Sequence, residues 1–164
     1  MKTWHIFCLP FILSAQIHWQ PIDEAFQRAR QQGRLLLIYI YTPWCAPCVM
    51  MDQNSWAHPV IASYAAAHFH CARLNGESRD SLLFNGTFFP FQPEVHANEL
   101  AYLLLEGKME YPALVFMEPN GTIVLALRGY LAPRLLDEIL RYFGEGFYRT
   151  MSWEAFQNTY PSNL

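Results

Sequence analysis

The segment Leu35-Leu36-Leu37-Ile38-Tyr39-Ile40-Tyr41, followed at once by Thr42-Pro43-Trp44-Cys45-Ala46-Pro47-Cys48, constrains this chain more than any other. A continuous apolar run of strand length lacks the polar alternation of a half-exposed strand, so it reads as a central strand buried on both faces. Such a strand requires sheet neighbours and helices on both sides. Thr42-Pro43-Trp44 ends it, and a helix is expected from about Cys45 to Asn54.

The flanking sequence supplies the remaining layers. Ile17-His18-Trp19 is expected as a short strand. Asp23 to Gln32 is expected as a helix, with Ile22, Ala25, Phe26 and Ala29 on one face and Gly33 as its stop. A second helix is expected over Pro59 to His68, then strands over Phe69 to Leu74, Leu114 to Met117 and Ile123 to Arg128. Glu118-Pro119-Asn120-Gly121 between the last two is a hairpin signal, which makes them antiparallel. Pro133 to Phe143 carries a helical apolar stripe of Leu135, Leu136, Ile139, Leu140 and Phe143. Ser152 is placed to cap a final short helix over Ala155 and Phe156. The order predicts a three-layer α/β fold around a mixed sheet.

Composition excludes several functions. Of the 164 residues, 52% are hydrophobic and 15% charged, too apolar a balance for a disordered chain. Lys and Arg total 11 against 14 Asp and Glu, with no basic run, so neither nucleic acid nor an anionic membrane surface is an expected partner. Residues 1–15 read as a short secretory signal peptide: Met1 to His5, the apolar run Ile6 to Leu13, then Ser14-Ala15 as a cleavage site. That run is too short to span a bilayer, which takes about 20 residues, and no later segment is long enough. The mature chain is then expected outside the cytoplasm, periplasmic or secreted, without Cys8 and without a membrane span.

Two cysteines separated by two residues in the first turn of a helix can close a disulfide with little backbone movement. Unpaired N–H groups and the helix dipole at that end favour a thiolate on Cys45. Pro47 is tolerated there because its missing N–H has no intrahelical bond to lose. A redox pair, an inert disulfide and half a zinc site all remain open on this spacing. Zinc needs two further ligands, for which His68, His70 and Cys71 are the only candidates.

Taken together, the strand, Trp44-Cys45-Ala46-Pro47-Cys48, Met51, Asn98-Glu99-Leu100-Ala101, Tyr111-Pro112 before the next strand, and Gly129 resemble the thioredoxin superfamily. The secreted bacterial thioredoxin-like proteins are the most similar group. The likeness runs from about residue 17 to 144, across an insertion near 76–110, with 145–164 as a C-terminal extension of a domain spanning 16–164. It implies a thioredoxin-like α/β/α fold with the insertion ahead of a cis-Pro strand. It also implies a thiol–disulfide oxidoreductase in which Cys45 attacks the substrate disulfide and Cys48 resolves the mixed disulfide. Pro112 would be the cis-proline, and Trp44, Tyr111, Gly129 and Tyr130 the substrate rim. The expected partners are protein thiols and disulfides and a redox partner protein. The chain is expected to be a monomer with no metal or organic cofactor. A peptide- or partner-binding module with little turnover is the competing class.

Two positions depart from the family pattern. The buried Asp usual six residues before the first cysteine is Tyr39 here, and Arg73 stands at the place of its customary Lys partner. Tyrosine, with a pKa near 10, is a poor base at neutral pH. An anion lost beside a retained cation would lower the Cys45 pKa and raise the reduction potential above the roughly −270 mV of thioredoxin. Tyr39, Arg73 and Pro47 are therefore the expected modulators of the pair.

In the insertion, Ser81 to Phe84, Asn85-Gly86 and Thr87 to Phe91 predict an aromatic-rich hairpin, and Glu94 to Leu105 a helix. Asn85-Gly86-Thr87 and Asn120-Gly121-Thr122 match the glycosylation pattern but equally suit tight turns. Cys71, on a strand face with Phe69 and Arg73, is expected as a buried, inert thiol.

Overall fold

The computed structural model describes residues 16–160 and Leu164. The expected leader, with Cys8, lies outside the described residues. Helix α1 (Ile22–Gln32) buries Ile22, Ala25, Phe26 and Ala29 and ends at Gly33, whose φ of 65° is the left-handed cap that glycine adopts without strain. Strand β1 (Leu36–Tyr41) follows, then α2 (Ala46–Met51) and a π-helical turn (Asp52–Trp56). After these come α3 (Pro59–His68) and β2 (His70–Asn75). The helix expected to run to Asn54 thus changes pitch after Met51.

Past the insertion, β7 (Ala113–Met117) and β8 (Ile123–Arg128) form the expected hairpin, and α5 (Pro133–Gly144) packs beneath them. The sheet order is β2-β1-β7-β8, parallel between β1 and β2 and antiparallel elsewhere. This is the thioredoxin-like α/β architecture with a mixed sheet between helices. Leu36 to Ile40 are fully buried, as the unbroken apolar run requires. Leu37 and Tyr39 enter one core with Trp56, Phe116 and the α5 residues Leu136 and Leu140. Leu36, Ile38 and Ile40 enter the other with α1 and the insertion helix. Of Ile17 to Trp19 no strand forms; a single parallel bridge joins Gln20 to Ala72.

The insertion contains the expected hairpin, β3 (Leu82–Phe84) and β4 (Thr87–Phe89), which packs Phe84 on Phe26 of α1. The helix expected from Glu94 is corrected. A second short hairpin, β5 (Phe91–Gln92) with β6 (Ala97–Asn98), takes up its first residues, and α4 spans only Glu99–Leu104. The cause is Asn98. Its side chain is wholly buried and donates to the carbonyls of Asp80 and Phe89 while accepting the Leu100 N–H, so the helix starts at this cap. At the far end, α6 (Trp153–Thr159) is capped by Ser152 and buries Phe156 against Tyr142 of α5.

Candidate active site

The register Ile40–Ala113 sets the end of β1 beside the start of β7, so the segment after Tyr41 and the residues before Ala113 meet at one edge of the sheet. Cys45 caps α2 there. Its sulfur is bonded to that of Cys48, and the Cys48 N–H lies 3.1 Å from Cys45 Sγ. Both cysteines are buried, Cys45 at 3% exposure and Cys48 at 1%, whereas Trp44 beside them is 68% exposed. Pro47 occupies the first turn, as the missing N–H allows.

The Tyr111–Pro112 bond is cis. Tyr111 meets Trp44 edge to face with ring centroids 6.2 Å apart, which brings the cis peptide and the cysteine pair to a common rim. Burial, then the nearby Glu77 carboxylate, push the Tyr111 hydroxyl up to about 12, so it stays protonated. Gly129, with φ of 98°, donates its N–H to the Pro112 carbonyl at 2.7 Å and closes the rim, and Tyr130 follows it against the core.

Beneath the pair, Tyr39 is fully buried between Trp19 and Trp56, and its hydroxyl donates to the Cys48 carbonyl at 3.2 Å. Burial, then the neighbouring Asp52 carboxylate, push its pKa upward, so it holds its proton. Arg73 stacks on Tyr41 at 4.0 Å and pairs with Asp52 at 2.6 Å. Arg73 is therefore not an unpaired cation. An anion stands opposite it, supplied by the helical turn after α2 instead of by β1, and the ground for a more oxidising pair is removed.

The three residues that a zinc site would have needed each meet a different partner. His68 stacks on Tyr64, His70 contacts Gln32, and Cys71, buried, points at the Ala65 carbonyl. Two residues unremarked in the sequence join the site, Asp52 through Arg73 and Glu77 through the Trp44 indole. Asp52 was detectable in principle, because it follows Cys48 by four residues and so shares its helix face. No sequence signal points to Glu77.

A thioredoxin-like family model matches residues 18–119. No protein of curated function matches the sequence. A thioredoxin-fold protein from Helicobacter pylori superposes with a TM-score of 0.62 at 15% identity, over 78% of this chain and 84% of that one. A putative disulphide-isomerase from Bacteroides thetaiotaomicron gives 0.56 at 24% identity, over 78% and 93%. A DsbH oxidoreductase gives 0.52 at 17% identity, over 79% and 87%.

Proposed function

The chain belongs to the thioredoxin-like family, and from that premise we propose that it is a thiol–disulfide oxidoreductase acting on protein substrates. The observation that carries this reading is the Cys45–Cys48 disulfide at a helix start, with the cis Tyr111–Pro112 peptide brought beside it through Trp44. In the reduced protein the Cys45 thiolate, stabilised by the Cys48 N–H, attacks a substrate disulfide. Cys48 then displaces the substrate sulfur. The backbone around Pro112, with Trp44, Tyr111, Gly129 and Tyr130, receives an extended substrate segment. Pro47, Tyr39 and Arg73 tune the pair, the last through Asp52.

The leader reading of residues 1–15 supports an extracytoplasmic location, and 16–164 act as the mature domain. Among the described residues no helix is long and apolar enough to cross a membrane. The similar structures include an oxidoreductase and a putative disulphide-isomerase, which supports the reaction class.

A Cys48→Ala variant tests the reading, because it lets Cys45 attack but removes the resolving thiol. Expected are mixed disulfides between Cys45 and client proteins, seen on non-reducing gels and lost in Cys45→Ser. Absence of adducts, with partner binding intact in a Cys45→Ser, Cys48→Ser double variant, would replace the enzyme by a binding module.

A further inference from the structure

The end of the sheet opposite the cysteine pair carries a pocket of about 210 Å³, whose polar wall is formed by His18, Gln20, Arg28, Arg34, His70 and Cys71. Strands β1 and β2 run parallel from Leu36 and His70 to Tyr41 and Asn75, so this pocket lies about 17 Å along the sheet from the end that leads to Cys45. Its charge is one-sided. No Asp or Glu lines it, although the whole chain has 14 acidic residues against 11 Lys and Arg. Burial, then Arg34 and Arg28, hold the His70 pKa down, so both guanidinium charges are felt at the start of β2.

The donors in this wall are largely free. Arg34 is half-buried, and its guanidinium makes no hydrogen bond or ion pair among the described residues. Arg28 uses one nitrogen on Glu24 at 2.8 Å, in an exposed pair of little strength, which leaves its other N–H groups available. Gln20 is the buried member. It is 7% exposed and its backbone N–H donates to the Cys71 carbonyl, but its side-chain amide has no partner among the described residues. A buried amide in that position is costly unless something in the pocket supplies its acceptor. Water would satisfy the amide, yet it does not offset two guanidinium charges at one cavity. Burial keeps the Cys71 thiol protonated, so it adds no anion.

We propose that this pocket binds a tetrahedral oxyanion, as phosphate, sulfate or the phosphate group of a small ester, held by the Arg34 and Arg28 guanidiniums and the Gln20 amide N–H. These donors arrive from different places: Gln20 from the segment before α1, Arg28 from α1 itself, and Arg34 from the connection to β1. A planar carboxylate is matched by the fork of a single arginine, whereas donors converging from several directions match a tetrahedral anion. The pocket, at about 210 Å³, far exceeds the space one water needs, so the anion fits with a substituent beside it. Binding here involves neither cysteine of the pair and stands apart from the oxidoreductase reading.

The test titrates sulfate and inorganic phosphate into the full chain by calorimetry near neutral pH, with sodium chloride holding the ionic strength constant. Expected is saturable binding of one anion per chain, with no saturable heat from acetate. Arg34→Met should weaken binding about tenfold or more, the scale of a lost hydrogen bond to a charged group, and Gln20→Leu about fivefold. Arg79→Met removes an equal charge from the insertion, where Arg79 stacks on Phe91, and should leave the affinity within about twofold. In the unaltered protein the side-chain amide NMR signal of Gln20 should shift along the same saturation curve, which reads the site without any variant. No saturable binding, an equal loss in Arg79→Met, or a Gln20 amide signal that stays in place while the anion binds overturns the proposal. Binding to phosphatidic acid vesicles without any binding of the free anions overturns it as well, because the site would then serve a lipid surface.

Discussion

The indole N–H of Trp44 donates to the Glu77 carboxylate at 2.9 Å, tying the residue beside the redox pair to the start of the insertion. Trp44 is mostly exposed, so this bond, with the Tyr111 edge contact, is what orients it. A charged hydrogen bond of this kind is worth about 1 kcal/mol once solvent competes for it, or about fivefold in an equilibrium. Glu77→Ala is therefore expected to raise KM for a protein disulfide about fivefold, while a small disulfide that does not reach Trp44 reacts at the wild-type rate. Steady-state kinetics with both substrates checks this.

Gly76, one residue earlier, has no room for a side chain. A Cβ there would overlap the Tyr111 ring, which is held against Trp44. Gly76→Ala should cost about 1–3 kcal/mol, the scale of overpacking, and displace Tyr111 from the rim. In a Tyr111→Ala background the same change should be nearly neutral. Urea unfolding of the four proteins in this cycle measures the coupling.

The layers were legible because period and punctuation agreed: the unbroken run of β1, the stripe of α1 closed by Gly33, and the Asn120-Gly121 turn each had one good solution. Asn98 shows where that stops. Its helix looked longer because Glu94 to Leu105 reads as helical in isolation, and only the carbonyls of Asp80 and Phe89, distant in sequence, make it a cap. The cysteines were legible by spacing. Spacing also sets Asp52 on the Cys48 face, but its ion pair with Arg73 was not legible, because it depends on β2 lying beside the turn after α2.

Cys71 lies outside this chemistry. Burial pushes its thiol up to about 12, and its sulfur points at the Ala65 carbonyl. Thiolate is the reactive form, so its population near pH 7 is roughly a thousandfold below that of a free cysteine with pKa about 8.5. With the Cys45–Cys48 disulfide intact, iodoacetamide should leave Cys71 unmodified in the native protein and alkylate it fully in guanidinium, as read by peptide mass mapping.

Phe156 joins the C-terminal segment to the domain. It is fully buried and packs its ring on Tyr142, Phe147 and Trp153. Phe156→Ala should destabilise the protein by about 3–5 kcal/mol, as for other buried phenylalanines. Tyr160→Ala, at a residue 36% exposed, should cost much less. Chemical denaturation of both variants separates a structural C-terminal helix from a dispensable tail.

His70 makes stability depend on pH. It is 8% exposed, its Nε2 contacts Gln32 Oε1 at 3.2 Å, and burial, then Arg34 and Arg28, hold its pKa below the usual histidine value. The folded protein thus keeps His70 neutral where the unfolded chain, titrating near pH 6.5, already binds a proton. Protons taken up preferentially by the unfolded state lower stability as pH falls. The contribution is complete above about pH 6.5 and is lost progressively below it, toward the depressed folded-state pKa. The urea midpoint should decline from pH 7 to pH 5. His70→Gln, which cannot take up the proton, should be less stable at pH 7 yet show a shallower decline across that window. An equally steep decline in the variant would assign the pH dependence to other groups.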